Sequence, residues 1–268
     1  GQVWVVANPG TASVMKGYAL GTGAWATGGN LNTGRKDASG FGEGHTAAIA
    51  AGGYSGGGAT GAQVESYNGT AWSETTELST QRAWSQSGAG TTTAGLIFGG
   101  QPLPPAGGQL TATEEWGGSS WTNGGDLNQG RSMVGGAGTQ TAGLCYGGLT
   151  PSKTVNTEEY NGSSWTEVNN LPTASAAVAS SRGSAQTNAF SAGSTPITVS
   201  VYFYDGTNWS TGPSLNSARG NAMGAGTSSL GIVAGGPPAL AKTEGFDGTS
   251  WTEVADLATG RTAAGTGG

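Results

Sequence analysis

The sequence has few of the residues that usually carry enzyme chemistry or bind metal ions. It contains one cysteine and one histidine, and only 10% of its residues are charged. A single cysteine excludes an internal disulfide framework, and a single histidine excludes a metal centre built from several histidines. We therefore predict no catalytic centre, no metal ion and no cofactor.

Basic residues and long apolar segments are also scarce. Ten Lys and Arg stand against sixteen Asp and Glu, which gives a formal net charge of -6. No basic stripe is present that could follow a nucleic-acid backbone. No apolar run approaches the roughly 18 residues of a transmembrane helix, and no leader of the signal-peptide kind is seen. We therefore expect neither nucleic-acid binding nor membrane insertion.

Glycine and aromatic residues are abundant, and the two favour opposite predictions about whether the chain folds. The 53 glycines, in a mostly polar background, are typical of disordered chains. Nine Trp, seven Tyr and five Phe instead offer large apolar surfaces for a core. A folded protein is expected if these aromatic residues are regularly placed.

Tryptophan recurs in one local context, at intervals of 42 to 49 residues. A leucine stands six residues after each of these tryptophans, and an arginine stands ten residues after all but one of them, where Ser175 takes its place. The tryptophans are Trp25, Trp72, Trp121, Trp165, Trp209 and Trp251, and the arginines are Arg35, Arg82, Arg131, Arg219 and Arg261. This regularity predicts six copies of one structural unit.

Each copy is predicted to contain four strands. An apolar run ends in paired glycines, as at Gly99-Gly100, and an Asn-Gly or Asp-Gly turn such as Asn161-Gly162 precedes the tryptophan. Such turns favour a tight β-hairpin. Two more strands, for example Ala83 to Ala89 and Ala94 to Phe98, fill the interval between the arginine and the glycine pair. Four strands in 42 to 49 residues are typical of a propeller blade, and the glycines would let inner strands approach one another.

We therefore predict an all-β fold, a six-bladed β-propeller that forms a single domain over residues 1–268. The segment Gln2 to Ala7 aligns with the strand before a glycine pair, and the segment after Arg261 aligns with a first strand. The C-terminal segment is accordingly expected to supply the inner strand of the first blade and to close the ring.

The repeat resembles that of the kelch family, in which an apolar strand ends in two glycines and is followed by an aromatic residue and then a tryptophan. The matching residues are Leu96 to Gly100 with Trp116 and Trp121, and Leu144 to Gly148 with Tyr160 and Trp165. The spacing of five residues between the aromatic residue and the tryptophan is tighter than the usual kelch spacing. The resemblance implies a propeller fold and covers almost the whole chain.

Two phrases also resemble the repetitive kelch-like segments of tailed-phage fibre and virion appendage proteins. These are Tyr-Asn-Gly-Ser-Ser-Trp-Thr from Tyr160 and Gly-Thr-Gln-Thr-Ala-Gly-Leu from Gly138. The resemblance implies an extracellular or virion-surface adhesion module that contacts a cell-surface glycan or protein and other virion proteins.

The repeated polar residues are interpreted as structural. The arginines are expected to bind loop carbonyls or carboxylates such as Glu65, Glu114 or Glu158. The same structural interpretation covers the carboxylates that precede the aromatic residues, grouped as Glu65, Glu115, Glu159 and Glu244. His45 is expected in a turn or on the surface. Cys145 aligns with apolar residues of other repeats and is expected to be buried.

Residues that differ between repeats are the candidates for ligand binding. The segments Tyr54 to Ala62 and Gln101 to Gln109 are longer than their counterparts, and loops on a rigid scaffold often carry recognition. Prolines in the second segment would reduce the entropy lost on binding. The candidate ligand-binding residues are Tyr54, Trp84, Gln101, Pro102 and Leu103.

The leading hypothesis is thus a non-enzymatic binding or structural module. One alternative is an enzyme acting on glycans through carboxylates such as Asp37 and Glu43 at the axial mouth. Another is a protein–protein interaction scaffold, although the additional domain of intracellular kelch adaptors is not seen in the chain.

Overall fold

A computed structural model describes residues 24–26, 28–54, 61–85, 88–102, 107–238 and 240–262. These residues form a β-propeller of five blades, each a four-stranded antiparallel sheet. No helix long and apolar enough to cross a membrane occurs among them. The all-β propeller and the four strands per blade are confirmed. The single domain over residues 1–268 stays a prediction.

The first blade contains β1 to β4 and the second contains β5 to β8, with the strands following one another in chain order. Their bounds are Ser39–Gly44, Ala47–Ala51, Val64–Tyr67 and Trp72–Thr75, then Ala89–Thr91, Ala94–Phe98, Thr113–Trp116 and Trp121–Asn123. The strand expected from Ala83 thus begins only at Ala89, because Trp84 has a left-handed backbone (φ 51°) that a strand does not accommodate.

The remaining blades repeat this arrangement. The third blade has β9 to β12 at Gly135–Thr139, Ala142–Tyr146, Thr157–Tyr160 and Trp165–Val168. The fourth has β13 to β16 at Ala179–Ser180, Ala189–Ala192, Val201–Tyr204 and Trp209–Thr211. The fifth has β17 to β20 at Met223–Thr227, Leu230–Ala234, Thr243–Phe246 and Trp251–Val254.

The aromatic residue and the tryptophan of each repeat face one another across the outer hairpin, as the turn residues predict. Tyr160 pairs with Trp165 in the third blade, and Phe246 pairs with Trp251 in the fifth. In the turn between them the Asn161 side-chain oxygen accepts hydrogen bonds from the backbone of Ser163 and Ser164, both at 3.0 Å. The turn chemistry therefore fixes the register of four of the five outer hairpins, and the second blade has Gly117-Gly118 in this turn.

The prediction of six blades is wrong, because the described residues form five. Trp25 was counted as the mark of a sixth sheet, but it belongs to none of the described strands. Its indole Nε1 instead donates to Thr243 Oγ1 at 3.1 Å and to the carbonyl of Ala255 at 2.9 Å, both in the fifth repeat. A repeated tryptophan thus marks a contact with a neighbouring blade rather than a complete sheet. The predicted ring closure rests on residues 2–7 and 263–268, which lie outside the described residues.

Apolar side chains pack between neighbouring blades. One cluster joins Leu96 and Phe98 of the second blade to Cys145, Tyr160 and Trp165 of the third. The rings of Phe98 and Trp165 lie 4.8 Å apart in an edge-to-face arrangement, a geometry that aromatic rings favour. Because four of the five clusters among the described residues draw on two neighbouring blades, the blades stabilise one another.

The innermost strands β1, β5, β9, β13 and β17 contact each other in this order. Glycine makes the approach possible: a Cβ at Gly88 would overlap the backbone of Gly40, and a Cβ at Gly224 would lie 2.7 Å from the carbonyl oxygen of Ser180. The expectation that glycine allows close approach of the inner strands is therefore confirmed.

Candidate functional site

One end of the sheets carries both the loops that follow the glycine pairs and the segments that enter the inner strands. We call this end the ring face. The opposite end carries the β1–β2 and β3–β4 turns and their counterparts, and we call it the turn face.

Near the axis of the ring face, one residue per blade has a left-handed backbone, two positions after the arginine site. These residues are Asp37 (φ 56°), Trp84 (φ 51°), Met133 (φ 53°), Ala177 (φ 54°) and Asn221 (φ 45°).

Backbone hydrogen bonds connect four of the five left-handed residues from blade to blade. Met133 N donates to Trp84 O at 2.5 Å, Ala177 N to Met133 O at 2.9 Å, and Asn221 N to Ala177 O at 2.7 Å. We call this chain of residues the axial ring. Its backbone has one geometry in every blade, whereas its side chains differ in size and polarity.

The left-handed conformation is costly for most of these residues. It costs an L-residue roughly 1–2 kcal/mol, while Asn and Asp tolerate it because they bond their own backbone. Trp84 and Met133 therefore occupy positions for which their side chains are poorly suited. Strain of this kind is often found at functional sites.

Trp84 lies in a small aromatic group that joins the first two blades. Its ring stacks on that of Tyr54, with centroids 5.7 Å apart and an angle of 22° between the planes. The Lys36 ammonium lies 6.0 Å from the centroid of the Tyr54 ring. Lys36 and Tyr54 also exchange two backbone hydrogen bonds, of 3.0 and 2.8 Å. We call Lys36, Tyr54 and Trp84 the aromatic corner.

The other candidate binding residues lie on the same face. Gln101 exchanges backbone hydrogen bonds with Ala83, of 2.9 and 2.8 Å, directly beside Trp84. Gln101 and Pro102 are half-buried, and Leu103 lies outside the described residues. The structure thus brings together Tyr54, Trp84, Gln101 and Pro102, and their role in binding stays a prediction.

The repeated arginines are used inside the blades. In the third blade Arg131 Nη2 lies 2.5 Å from Glu158 Oε1, and its Nη1 donates to the carbonyls of Gly147 at 3.2 Å and Asn156 at 2.7 Å. The other carboxylate oxygen, Oε2, accepts from the backbone and the side chain of Asn128. Three further buried pairs have the same arrangement: Arg35 with Glu65, Arg82 with Glu114, and Arg219 with Glu244.

Two carboxylates grouped with these in the sequence have another role. Glu115 and Glu159 lie one position later in their strands and accept hydrogen bonds from the next blade. The hydroxyl of Tyr160 donates to Glu115 at 2.6 Å, and that of Tyr204 donates to Glu159 at 2.9 Å. Burial, followed by the Glu115 hydrogen bond, raises the pKa of Tyr160 to about 12. The sequence grouping was thus wrong by one residue.

Arg261 differs from the other arginines. Its backbone binds Gly236 and Leu240 as the equivalent residues do in their repeats, with hydrogen bonds of 2.8 and 3.1 Å. Its side chain is exposed. Like the axial ring, Arg261 lies on the ring face.

The predicted carboxylate pair of a glycan-active enzyme is not assembled. Asp37 precedes β1 and Glu43 lies near its other end, so strand geometry places them roughly 20 Å apart at about 3.3 Å per residue. Glu43 accepts hydrogen bonds from Thr92 on the turn face. Carboxylates that hydrolyse glycosides together lie roughly 5–9.5 Å apart.

The two remaining reactive side chains lie elsewhere. His45 is exposed in the turn after β1, on the turn face. Cys145 is fully buried, and burial raises the pKa of its thiol to about 12. Within the described residues, no group of three or more His, Cys, Asp and Glu side chains could hold a metal ion.

Sequence reasoning missed a buried charge near the axis. Arg182 follows the short inner strand β13, at the position where the third blade has Gly138 and the fifth has Gly226. Its guanidinium is buried, and burial lowers its pKa to about 10. The signal was available, because the inner strands of the other four blades all carry glycine at this position.

No protein-family model and no curated protein matches the chain. The kelch and phage-fibre resemblances are therefore supported by the repeat residues alone. What the fold defines is the class, a β-propeller of four-stranded blades.

Proposed function

We propose that the chain is a non-enzymatic binding module whose ring face contacts a cell-surface glycan or protein. The observation that carries the proposal is the axial ring. Its five residues share one backbone conformation and have different side chains. A scaffold that is constant in backbone and variable in side chain is well suited to recognition.

The setting that we propose is extracellular, on the surface of a virion or a comparable particle. The support is the resemblance to kelch-like segments of phage fibres in the phrase that begins at Tyr160. A β-propeller is also compatible with a scaffold role, and two exposed apolar residues favour a protein partner for it. Ile197 is 53% exposed and Val199 is 37% exposed, both in the ring-face loop between β14 and β15.

Site-directed attachment of a bulky polymer can test which face binds. Because Cys145 is buried and its thiol stays protonated, a maleimide-polyethylene glycol reagent should react only with an introduced cysteine. Gln101→Cys places the polymer on the ring face, and Thr70→Cys places it on the turn face. Unmodified protein treated with the reagent is the control for Cys145.

Binding would be measured on intact cells and on glycan and protein arrays. We expect the label at position 101 to abolish binding and the label at position 70 to leave it unchanged. Blocking from position 70 alone would contradict the proposal, as would a lack of any binding by the unlabelled protein. Binding confined to protein arrays and lost in Ile197→Ser would favour the scaffold role.

A further inference from the structure

The backbone of the axial ring does not require a tryptophan at position 84. Asp37 and Asn221 occupy equivalent positions with residue types that adopt a left-handed backbone readily. Asparagine would therefore meet the backbone requirement at position 84 with less strain. A tryptophan held there, half-buried and stacked on Tyr54, presents on the ring face an aromatic surface that the backbone does not require.

The aromatic corner combines an apolar surface with a cation. The face of an indole ring is electronegative and attracts the weakly positive CH groups of a sugar ring. The Lys36 side chain is exposed beside the stacked pair and can bind an anionic group. The half-buried amide of Gln101 lies on the same face and can bind hydroxyl groups.

The exposed cation of the aromatic corner indicates the sign of the ligand. Among the described residues, the basic residues with exposed side chains all lie on the ring face: Lys36, Lys153, Lys242 and Arg261. Exposed carboxylates lie on both faces, with Glu43 and Asp205 on the turn face and Glu77, Asp126 and Asp256 on the ring face. The overall charge of a face therefore does not select the ligand. The cation that bears on the site is Lys36, which lies beside the stacked rings of Tyr54 and Trp84 and favours an anionic group there.

We propose that the aromatic corner binds a saccharide that carries a carboxylate, such as a uronic or sialic acid residue. The sugar ring packs on Trp84, and the carboxylate binds Lys36. The proposal rests on the proposed binding function of the ring face and assigns the ligand class to it.

The test uses polygalacturonate, alginate and polysialic acid, each compared with its carboxyl-reduced form, in binding measurements at physiological salt. The unmodified protein is expected to bind at least one of the acidic polymers more tightly than its neutral counterpart. Trp84→Asn is expected to weaken this binding roughly tenfold. Trp84→Tyr should retain most of it, because an aromatic face remains.

Two further variants separate stacking from charge. Thr70→Asn places the same side chain on the turn face, outside the proposed binding face, and should leave binding unchanged. Lys36→Gln should remove the preference for the acidic polymer over the reduced one and lower the salt dependence of binding. Cooperative unfolding of each variant in urea shows that it is folded.

The results distinguish this inference from the proposed function. If the polymer label at position 101 blocks binding to cells but Trp84→Asn binds the acidic polymers as well as the unmodified protein, the ring face is the binding face and the saccharide assignment is wrong. Equal binding of acidic and reduced polymers would also refute it.

Discussion

The third and fourth blades have the same strand order but different interiors. In the third blade the buried Arg131 and Glu158 hold the segment that enters the blade. In the fourth, Ser175 stands in place of the arginine and Tyr202 in place of the glutamate. Both partners differ together. This is what electrostatics requires, since either charge alone would be buried without compensation.

The path of the chain does not depend on the ion pair. Ser175 keeps the backbone bonds of its counterpart: its carbonyl accepts from Gly148 at 2.8 Å, as that of Arg131 accepts from Gly100 at 2.7 Å. The backbone pattern therefore defines the entry to each blade. The buried space beside this entry segment holds the Arg131–Glu158 ion pair in the third blade and Ser175 with Tyr202 in the fourth.

The other departures from the repeat also concern the fourth blade. Its inner strand has Ser180 where the third blade has Gly136, followed by the buried Arg182. In the third blade, Thr157 accepts a hydrogen bond from the indole of Trp209. The equivalent residue of the fourth blade is Val201, which has no acceptor in its side chain. Accordingly, Trp251 Nε1 has no hydrogen-bond partner within the described part of the chain.

Removing one charge from the third blade should have the largest effect. Arg131→Ser leaves Glu158 buried without its cation, and we expect a loss of about 3–5 kcal/mol in the free energy of unfolding. Urea denaturation followed by tryptophan fluorescence measures it. Ser175→Ala at the equivalent position of the fourth blade should cost only about 1 kcal/mol, because it removes one hydrogen bond from the Ser175 hydroxyl to the carbonyl of Thr173. Similar losses in both blades would show that the comparison is wrong.

Transferring the residues of the fourth blade into the third should have a smaller effect. The double variant Arg131→Ser with Glu158→Tyr contains no unpaired charge, so we expect it to be about 2 kcal/mol more stable than Arg131→Ser alone. A double-mutant cycle that includes Glu158→Tyr measures the coupling. If the two losses simply add, the two positions are not coupled.

The tyrosine bonds between blades should have the smallest effect, and a similar one in both blades. Tyr160→Phe and Tyr204→Phe each remove a hydrogen bond to a carboxylate, and we expect each to cost about 1.5 kcal/mol near pH 8. The cost would be measured by urea denaturation. Unequal costs would show that the fourth blade also differs at its contacts with its neighbour.

The contribution of Tyr160 should depend on alkaline pH. Its pKa in the folded protein is about 12, above the ordinary value of 10.0. The stabilisation is therefore complete below about pH 10 and is lost as the pH rises towards 12. Between pH 8 and 11, the free energy of unfolding of Tyr160→Phe should fall less steeply than that of the unmodified protein. Parallel curves would contradict this assignment.

Much of the blade could be predicted from the sequence because its signals are local. The Asn-Gly and Asp-Gly turns specify the outer hairpins, and the spacing of glycine pairs and tryptophans specifies four strands per unit. The pairing of the arginines with Glu65, Glu114 and Glu158 was also expected. The predicted number of blades was wrong, because Trp25 carries the repeat signature without a described sheet of its own.

The candidate site was predicted only in part. Loop length and irregular position indicated Tyr54, Trp84 and Gln101, but nothing in the sequence indicated that Tyr54 and Trp84 stack. The axial ring has no sequence signature, since Asp37, Trp84, Met133, Ala177 and Asn221 share no side-chain chemistry. Backbone hydrogen bonds between neighbouring blades connect four of these five residues.

The sequence by itself determined the strands, their hairpins and the unit that repeats, because these depend on residues a few positions apart. Only the tertiary structure decided the number of blades and the composition of the ring face. Each of these depends on which residues meet when separate blades pack around one axis. That packing is set by contacts between residues about forty positions or more apart, such as Tyr160 with Glu115, which no local pattern records.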